Sequence, residues 1–263
     1  AHAIDYDATR AMFEAFRCNI PVSTGIIQWM LNSAWPSLYW QLYDYYKVPT
    51  ASYYGTKKAC EPLQLIYNYK ERAVFGVNES GAKKSVKVVA KAYDAATGAT
   101  TIMEWGGPLK DNSSLRLFEV PAGNLFLSLS LYDNDGKFLA DNFYCVPAEC
   151  NVYDWEHTNW YMTPISGYAD MSFVSQLPKA CVKMTVSAKG NIYTVTLENT
   201  SKAVSYQNIL RMTGSDGNLI VPAFWSDNFI SLLPSEVKTV TCTIPEGKEG
   251  HVEVQTWNTV TEL

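Results

Sequence analysis

The spacing of hydrophobic positions changes character along this chain. Over residues 4–18, Ala8, Ala11, Met12, Ala15 and Phe16 recur at helical intervals with charged residues on the other face, which predicts an amphipathic helix. "NIPVSTG" closes it, and "GIIQWML" follows as a short, almost continuously apolar run, the pattern of a strand buried on both faces of a parallel sheet. A Trp-Pro loop and an aromatic segment lead to "SYYGTKKACEPL", read as a short helix ended by Pro62. Helix, buried strand, loop and helix make half of an α/β repeat, a unit that cannot bury itself alone.

From about Leu63 the period drops to two. "LQLIYNY", "RAVFGVN", "SVKVVAKAYD", "SLRLFEV", "LFLSLSLYD" and "KFLADNFYC" alternate, separated by the turn formers "ATG", "PAGN" and "NDG". Six or seven short strands at this spacing predict an antiparallel, immunoglobulin-like β-sandwich. Residues 151–170, "NVYDWEHTNWYMTPISGYAD", read as an irregular aromatic linker. A second alternating set follows: "ACVKMTVSA", "NIYTVTLEN", "YQNILRM", "LIVPAFW", "VKTVTCTI" and "HVEVQTW". "VNESGAKKSVKVVAKAYDAATG" and "LENTSKAVSYQNILRMTGSDG" echo each other as strand, polar turn, strand and Gly turn, fitting two copies of one sandwich type. The expected fold is mainly β: an α/β part over 1–62, sandwiches over 63–150 and 171–263, and the linker between.

Composition narrows the function. At 263 residues and 47% hydrophobic, the chain suits one large domain or two to three small ones. A net charge of −5 with scattered Lys and Arg argues against a nucleic-acid partner. The densest apolar stretch, "STGIIQWMLNSAWPSLYWQLYDYY" (Ser23–Tyr46), is interrupted by Gln28, Asn32, Ser33, Pro36, Gln41 and Asp44, so it is no membrane span of about 20 apolar residues. The chain opens on Ala1 with neither an initiator Met nor a signal peptide, and is expected to be a piece of a longer polypeptide. Aromatics make up 13% of residues; they serve cores first, but flat rings also stack on the C–H faces of sugars.

The six cysteines, Cys18, Cys60, Cys145, Cys150, Cys181 and Cys242, include no CxxC, and His2, His157 and His251 are far apart, which argues against a zinc site. Buried free thiols are the default, with "CVPAEC" close enough for a short bridged loop between Cys145 and Cys150. No motif calls for a cofactor. Asn78, Asn112 and Asn199 stand in Asn-x-Ser/Thr triplets, as turn residues or, in a secreted eukaryotic protein, glycosylation acceptors. Glycoside hydrolysis needs two carboxyl groups flanking the bond. The candidates before Leu63 are Asp5, Asp7, Glu14, Asp44 and Glu61. Glu14 and Glu61 suit solvated or packing-edge roles on helices, and Asp44 has no obvious carboxylate partner.

At this point a resemblance enters. "STGIIQWMLNSAWPSLYWQLYDYY" with "ASYYGTKKACEPLQLIYNY" resembles the end of the catalytic barrel in glycoside hydrolase family 2, on its exo-β-D-glucosaminidase and β-mannosidase side. "DWEHTNWYMTPISGYADM" and "PAFWSDNFISLLPSE" resemble the last two domains of the exo-glucosaminidase branch. The resemblance implies that 1–62 is the α/β remnant of a (β/α)8 barrel, with helix 4–18 the seventh barrel helix and Ile26–Leu31 the eighth strand. It implies a retaining exo-glycosidase acting on terminal β-linked hexose or hexosamine, with both catalytic glutamates upstream of residue 1 and none in this chain. Ile26, Ile27 and Leu31 are then barrel core, and Trp29, Asn32 and Trp35 line the rim of the sugar pocket. Many β-mannosidase-like relatives have Asn-Asp where this chain has Asn32-Ser33, which leans toward the glucosaminidase branch.

Further expectations follow. The partner is a carbohydrate. Strand 26–31 should be covered by another part of the chain or by a second copy in a homodimer. The linker should pack between the two sandwiches with Trp155 and Trp160 buried at that junction, and the location should be extracytoplasmic. The contrasting reading is a carbohydrate-binding or bracing module using Trp155, Trp160 or Trp225; adhesion-type sandwich repeats would leave 1–62 unexplained.

Overall fold

The structure, a computed structural model, describes residues 1–37 and 40–262. It forms two compact units, one of Ala1–Pro62, Asn112–Ser114 and Pro178–Leu263, the other of Leu63–Asp111 and Leu115–Leu177.

The first unit opens with helices α1 (His2–Arg17) and α2 (Ala51–Ala59). They cross closely because Gly55 has no side chain: a Cβ there would sit 2.5 Å from the Tyr6 carbonyl oxygen. Asp5 accepts hydrogen bonds from the Ser52 hydroxyl (2.6 Å) and amide (3.1 Å), and Thr9 donates to Ser52. Arg17 donates to the Ala59 and Glu61 carbonyls, both at 2.6 Å, satisfying groups that the end of α2 leaves open.

Helix α1 is turned opposite to the simple amphipathic reading. Tyr6, Thr9, Arg10, Phe13, Glu14 and Arg17 are buried, whereas Ile4, Ala8, Met12, Ala15 and Phe16 are exposed. The buried charges are accommodated by specific partners: Arg10 pairs with Asp7 at 2.8 Å and stacks over the Tyr6 ring at 5.0 Å. Between the helices, the strand expected at Ile26–Leu31 does not form. The segment is without regular secondary structure and open to water, with Ile27 95% exposed. A strand needs a ladder partner, and none is present for this one among the described residues, where Ile27, Trp29, Met30 and Leu31 stay exposed.

The sandwich over Leu63–Val146 has strands β1 (Leu63–Asn68), β2 (Ala73–Asn78), β3 (Lys84–Asp94), β4 (Thr100–Leu109), β5 (Ser113–Glu119), β6 (Leu125–Asp133) and β7 (Phe138–Val146). Sheets β1-β2-β5 and β4-β3-β6-β7 face each other, the three-plus-four division of an immunoglobulin-like domain. Period-two alternation works as read: Val86, Val88, Ala90 and Ala92 of β3 point into the core with Leu127, Leu129 and Leu131 of β6.

A short hairpin, β8 (Val152–Tyr153) with β9 (Ile165–Gly167), occupies the 151–170 region expected to be an irregular linker, and helix α3 (Ser172–Ser175) follows it. The second sandwich has β10 (Ala180–Lys189), β11 (Ile192–Asn199), β12 (Ser205–Thr213), β13 (Phe224–Trp225), β14 (Ile230–Leu232), β15 (Val237–Thr243), β16 (His251–Gln255) and β17 (Thr259–Glu262). Its sheets run β13-β15-β11-β10-β17 and β14-β12-β16, with β17 alone parallel to its neighbour among the described pairings. The core joins Val182, Met184, Val195, Leu197, Leu210 and Val240 to Tyr6, Ala51 and Tyr54 of the helices. All six cysteines are free thiols, so Cys145 and Cys150 are not bridged. No helix among the described residues is long and apolar enough to cross a membrane.

Candidate functional site

The stretch between α1 and α2 carries an exposed aromatic surface on a hydrogen-bonded frame. Tyr43 forms a parallel bridge with Asn32 and an antiparallel one with Pro49, and its amide donates to the Leu31 carbonyl at 2.9 Å. Asp44 accepts from the Val48 amide at 2.9 Å, closing the returning turn. Thr50 then caps α2: its hydroxyl accepts from the Tyr53 amide and donates to the Gln41 carbonyl at 2.7 Å. Ser33 and Gln41 are buried and anchor the two arms.

On this frame Trp29 is 75% exposed and Trp35 69% exposed. The Trp29 carbonyl accepts from the Trp40 indole N–H and from the Gln28 amide group. The Trp29–Met30 peptide bond is cis. Asn32 is exposed, with its amide donating to the Ser33 carbonyl at 3.1 Å. The three sequence-predicted site residues therefore lie on one connected segment and face solvent. Trp40, Tyr45 and Tyr46 are also exposed there; aromatic density pointed to them without distinguishing them from core. Leu38 and Tyr39, part of the same quoted stretch, lie outside the described residues.

A cavity of about 580 Å³ opens beside this frame, walled by α1, residues 44–50 and β12. Tyr54, Trp225 and Phe229 form its apolar floor, and Asp5, Asp44, Arg211 and Asn228 contribute polar groups. Trp225, which the contrasting binding-module reading takes as an exposed aromatic, is only 5% exposed because it packs into the second core. His2 lies at the mouth, its pKa lowered by burial and then by the neighbouring N-terminal charge and Arg211, against an opposing pull from Asp5.

The loop Trp225–Phe229 is the socket that receives the helices. Phe229, held at φ +58°, packs against the rings of Tyr6 (5.9 Å) and Tyr54 (5.7 Å). Asn228 accepts from the Leu210 amide (2.8 Å) and donates to its carbonyl (2.9 Å), locking the loop to β12. Lys57 donates to the Trp225 carbonyl at 2.7 Å. Asp227 bridges Lys58 (3.2 Å) and Lys238 (3.1 Å). Burial alone would raise the Asp227 pKa, but the two ammonium groups outweigh it and hold the carboxyl well below its usual range.

The carboxylates before Leu63 are committed to structure. Asp5 holds Ser52, Asp7 pairs with Arg10, Asp44 closes its turn, Glu61 pairs with Lys58, and Glu14 is buried, not solvated. What this surface offers is flat apolar area and hydrogen-bonding groups, chemistry suited to positioning a ligand and not to moving its protons. Among the described residues, no three His, Cys, Asp or Glu side chains come together as a metal site would require.

Trp155 and Trp160 are not buried: both indoles are exposed, Trp160 at 93%, because the β8–β9 hairpin closes on its own hydrogen bonds and leaves them outside.

Residues 160–259 match the exo-β-D-glucosaminidase Ig-fold domain family. The exo-β-D-glucosaminidase of Arthroderma benhamiae is 34% identical over 98% of this chain and 30% of its own length. That of Streptomyces avermitilis is 33% identical over 98% of this chain and 31% of its own. The chain thus spans about a third of the length of the curated relatives it matches. Among solved structures, the exo-chitosanase of Amycolatopsis orientalis aligns at TM-score 0.90 and 30% identity, covering 98% of this chain and 33% of that one. A structure of that enzyme holds PNP-β-D-glucosamine. The β-D-mannosidase of Dictyoglomus thermophilum shares the fold at TM-score 0.70 and 20% identity.

Proposed function

We propose, from the premise that this chain is an exo-β-D-glucosaminidase-like portion of a glycoside hydrolase family 2 protein, that it forms the non-carboxylate wall of the active site and braces the catalytic barrel. The parent is a retaining exo-glycosidase that removes terminal β-linked glucosamine, and its acid/base and nucleophile glutamates lie outside this chain. Trp29 packs beneath the terminal sugar, Asn32 donates to a sugar hydroxyl, and Trp35 closes the rim. The setting is extracytoplasmic, where polysaccharide substrates are found.

The observation that carries this reading is the outward apolar face of 1–62. Ile4, Ala8, Met12 and Phe16 of α1 are exposed, as are Ile27, Trp29 and Leu31 beyond it. A stripe of this kind on a helix whose other face is already packed is built to be covered. On this reading the cover is the remainder of a barrel, for which the matched relatives, about three times longer, have the length. A homodimer through the same face is the competing cover.

The test is hydrolysis of PNP-β-D-glucosamine by the full-length parent and by this chain alone. The parent is expected to turn over with retention of anomeric configuration, read by NMR of the first-formed product, and the chain alone to stay at the buffer blank. Turnover by the chain alone, or inversion by the parent, overturns the assignment of roles.

A further inference from the structure

The β8–β9 hairpin carries a second aromatic surface, distant in sequence from Trp29 and different in charge. Trp155 and Trp160 are exposed, as are Tyr161 and Tyr168. The rings come in pairs: Tyr153 and Trp155 have centroids 5.6 Å apart, and Trp160 and Tyr161 meet edge to face at 5.0 Å. The turn that presents them is ordered by its own bonds. The Asp154 amide donates to the Pro164 carbonyl at 2.9 Å, and the Asn159 amide to the Met162 carbonyl at 2.9 Å. The Asn159 side chain accepts from the amides of Tyr161 and Met162, both at 3.1 Å. Large rings held outside a core on a rigid turn have already met most of the ordering cost of binding.

Charge identifies what they bind. From Phe138 to Pro178 the sequence contains no Lys or Arg, while Asp141, Glu149, Asp154, Glu156 and Asp170 contribute five carboxylates, equal to the net charge of −5 of the whole chain. The basic side chain of the turn, His157, is bonded to Asp154 at 2.7 Å. In space the Arg72 guanidinium also reaches the stretch, donating to the Ala148 carbonyl, so the charge beside the rings is that of Asp154 and Glu156 on the turn itself, which a neutral glucan does not use. A polymer of β-linked glucosamine, protonated at its amino groups, presents pyranose C–H faces to stack on indole and ammonium groups to meet both the carboxylates and the negative faces of the rings.

We propose that the Trp155–Tyr161 turn is a binding platform for cationic amino-sugar chains, which retains polymer through residues other than those of the Trp29 wall. The proposal takes its ligand class from the hydrolytic reading, but its test is separate, since it measures binding and not cleavage.

The experiment titrates the 263-residue chain with a β-1,4-linked glucosamine hexamer at pH 5.5, following heat release and Trp fluorescence, beside its fully N-acetylated form and cellohexaose. The amino hexamer is expected to bind at least tenfold more tightly than either neutral oligomer, with affinity falling as salt rises. Trp155→Ala and Trp160→Ala should each weaken it by about tenfold, and Glu156→Gln should weaken it less while flattening the salt dependence. Thermal melts of the variants should match the parent chain, because neither indole belongs to a core. Equal binding of cellohexaose, unchanged affinity in the Trp155→Ala/Trp160→Ala double variant, or no binding of the amino hexamer at millimolar concentration overturns the proposal. So does sedimentation showing a dimer that the double variant dissociates, which would make the hairpin a self-association surface.

Discussion

Asn78 ends β2 of the first sandwich, and Asn199 ends β11 of the second. Asn78 donates to the carbonyls of Ala82 (2.9 Å) and Leu109 (3.1 Å) and accepts from the Ser80 amide and hydroxyl. Asn199 donates to Ala203 (2.8 Å) and Leu232 (3.0 Å) and accepts from the Ser201 amide and hydroxyl. Both side chains are fully buried, so in the folded protein these two triplets are structural corners with no room for a glycan, whereas Asn112 is exposed. The sandwiches differ in what completes them. The first core is made of strand residues and the short segments joining them. The second takes Tyr6, Ala51 and Tyr54 from helices more than 100 residues earlier, and ties them down through Asp227 and Phe229. One β-module is complete by itself; its repeat is finished by a helical pair whose opposite face remains open. The repeat thus specifies the corner, and the departures from it specify the joint through which this portion is braced.

The largest effect should come from breaking that joint. Asp227→Asn leaves Lys58 and Lys238 facing each other without their shared counter-charge and should cost about 3–5 kcal/mol at pH 7. Because the folded pKa lies below the unfolded one, near 3.9, the carboxylate's stabilisation is fully present above that value and lost as pH falls through it toward the folded pKa. The gap between wild type and variant, measured by denaturant unfolding, should therefore narrow below about pH 4. Hydrogen exchange should locate the loss in 1–62 and 178–262, with β1–β7 unaffected; equal loss in both sandwiches would break the contrast.

Next come the corners themselves. Asn199→Ala strands the buried carbonyls of Ala203 and Leu232, and Asn78→Ala strands the buried Leu109 carbonyl with the more exposed one of Ala82, at about 2–4 kcal/mol per variant. The two costs should agree within about 1 kcal/mol if the corners are equivalent; a several-fold difference would show that the likeness is geometric only. Gly55→Ala should be smaller, about 1–3 kcal/mol, because the new methyl meets the Tyr6 backbone and forces α1 away from α2. Its effect should again be confined to the unit that contains the helices.

The same contrast shows what the residues disclose in advance. Period-two alternation gave β1–β3, β5–β7, β10–β12, β15 and β16 but missed β4, β14 and β17, and "LIVPAFW" yields only the two-residue β13; the echo of "VNESGAKK" in "LENTSKAV" marked the corner, because both signals are local. The face of α1 was misread because amphipathic counting treats Arg10, Glu14 and Arg17 as outward, and their burial depends on partners such as Ala59 and Glu61 some 40 residues away. Ile26–Leu31 has strand composition without a strand partner, and composition does not supply one. The aromatic stretch Ser23–Tyr46 reads as one wall of a sugar pocket; what the structure adds is that Trp29, Asn32 and Trp35 are exposed on it. Trp155, Trp160 and Trp225 were harder to place: a Trp in an irregular segment has the same letter whether it fills a core, as Trp225 does, or stands in water, as Trp160 does.

The central claim is that the open aromatic segment of 1–62 meets the substrate. It is tested most directly by Trp29→Ala in the full-length parent, comparing kcat/KM for PNP-β-D-glucosamine with the unsubstituted enzyme. The expected result is a fall of about one to three orders of magnitude, or about 1.4–4 kcal/mol of lost transition-state stabilisation, with an unchanged thermal melt. Unchanged kinetics in a fully folded Trp29→Ala enzyme would contradict it.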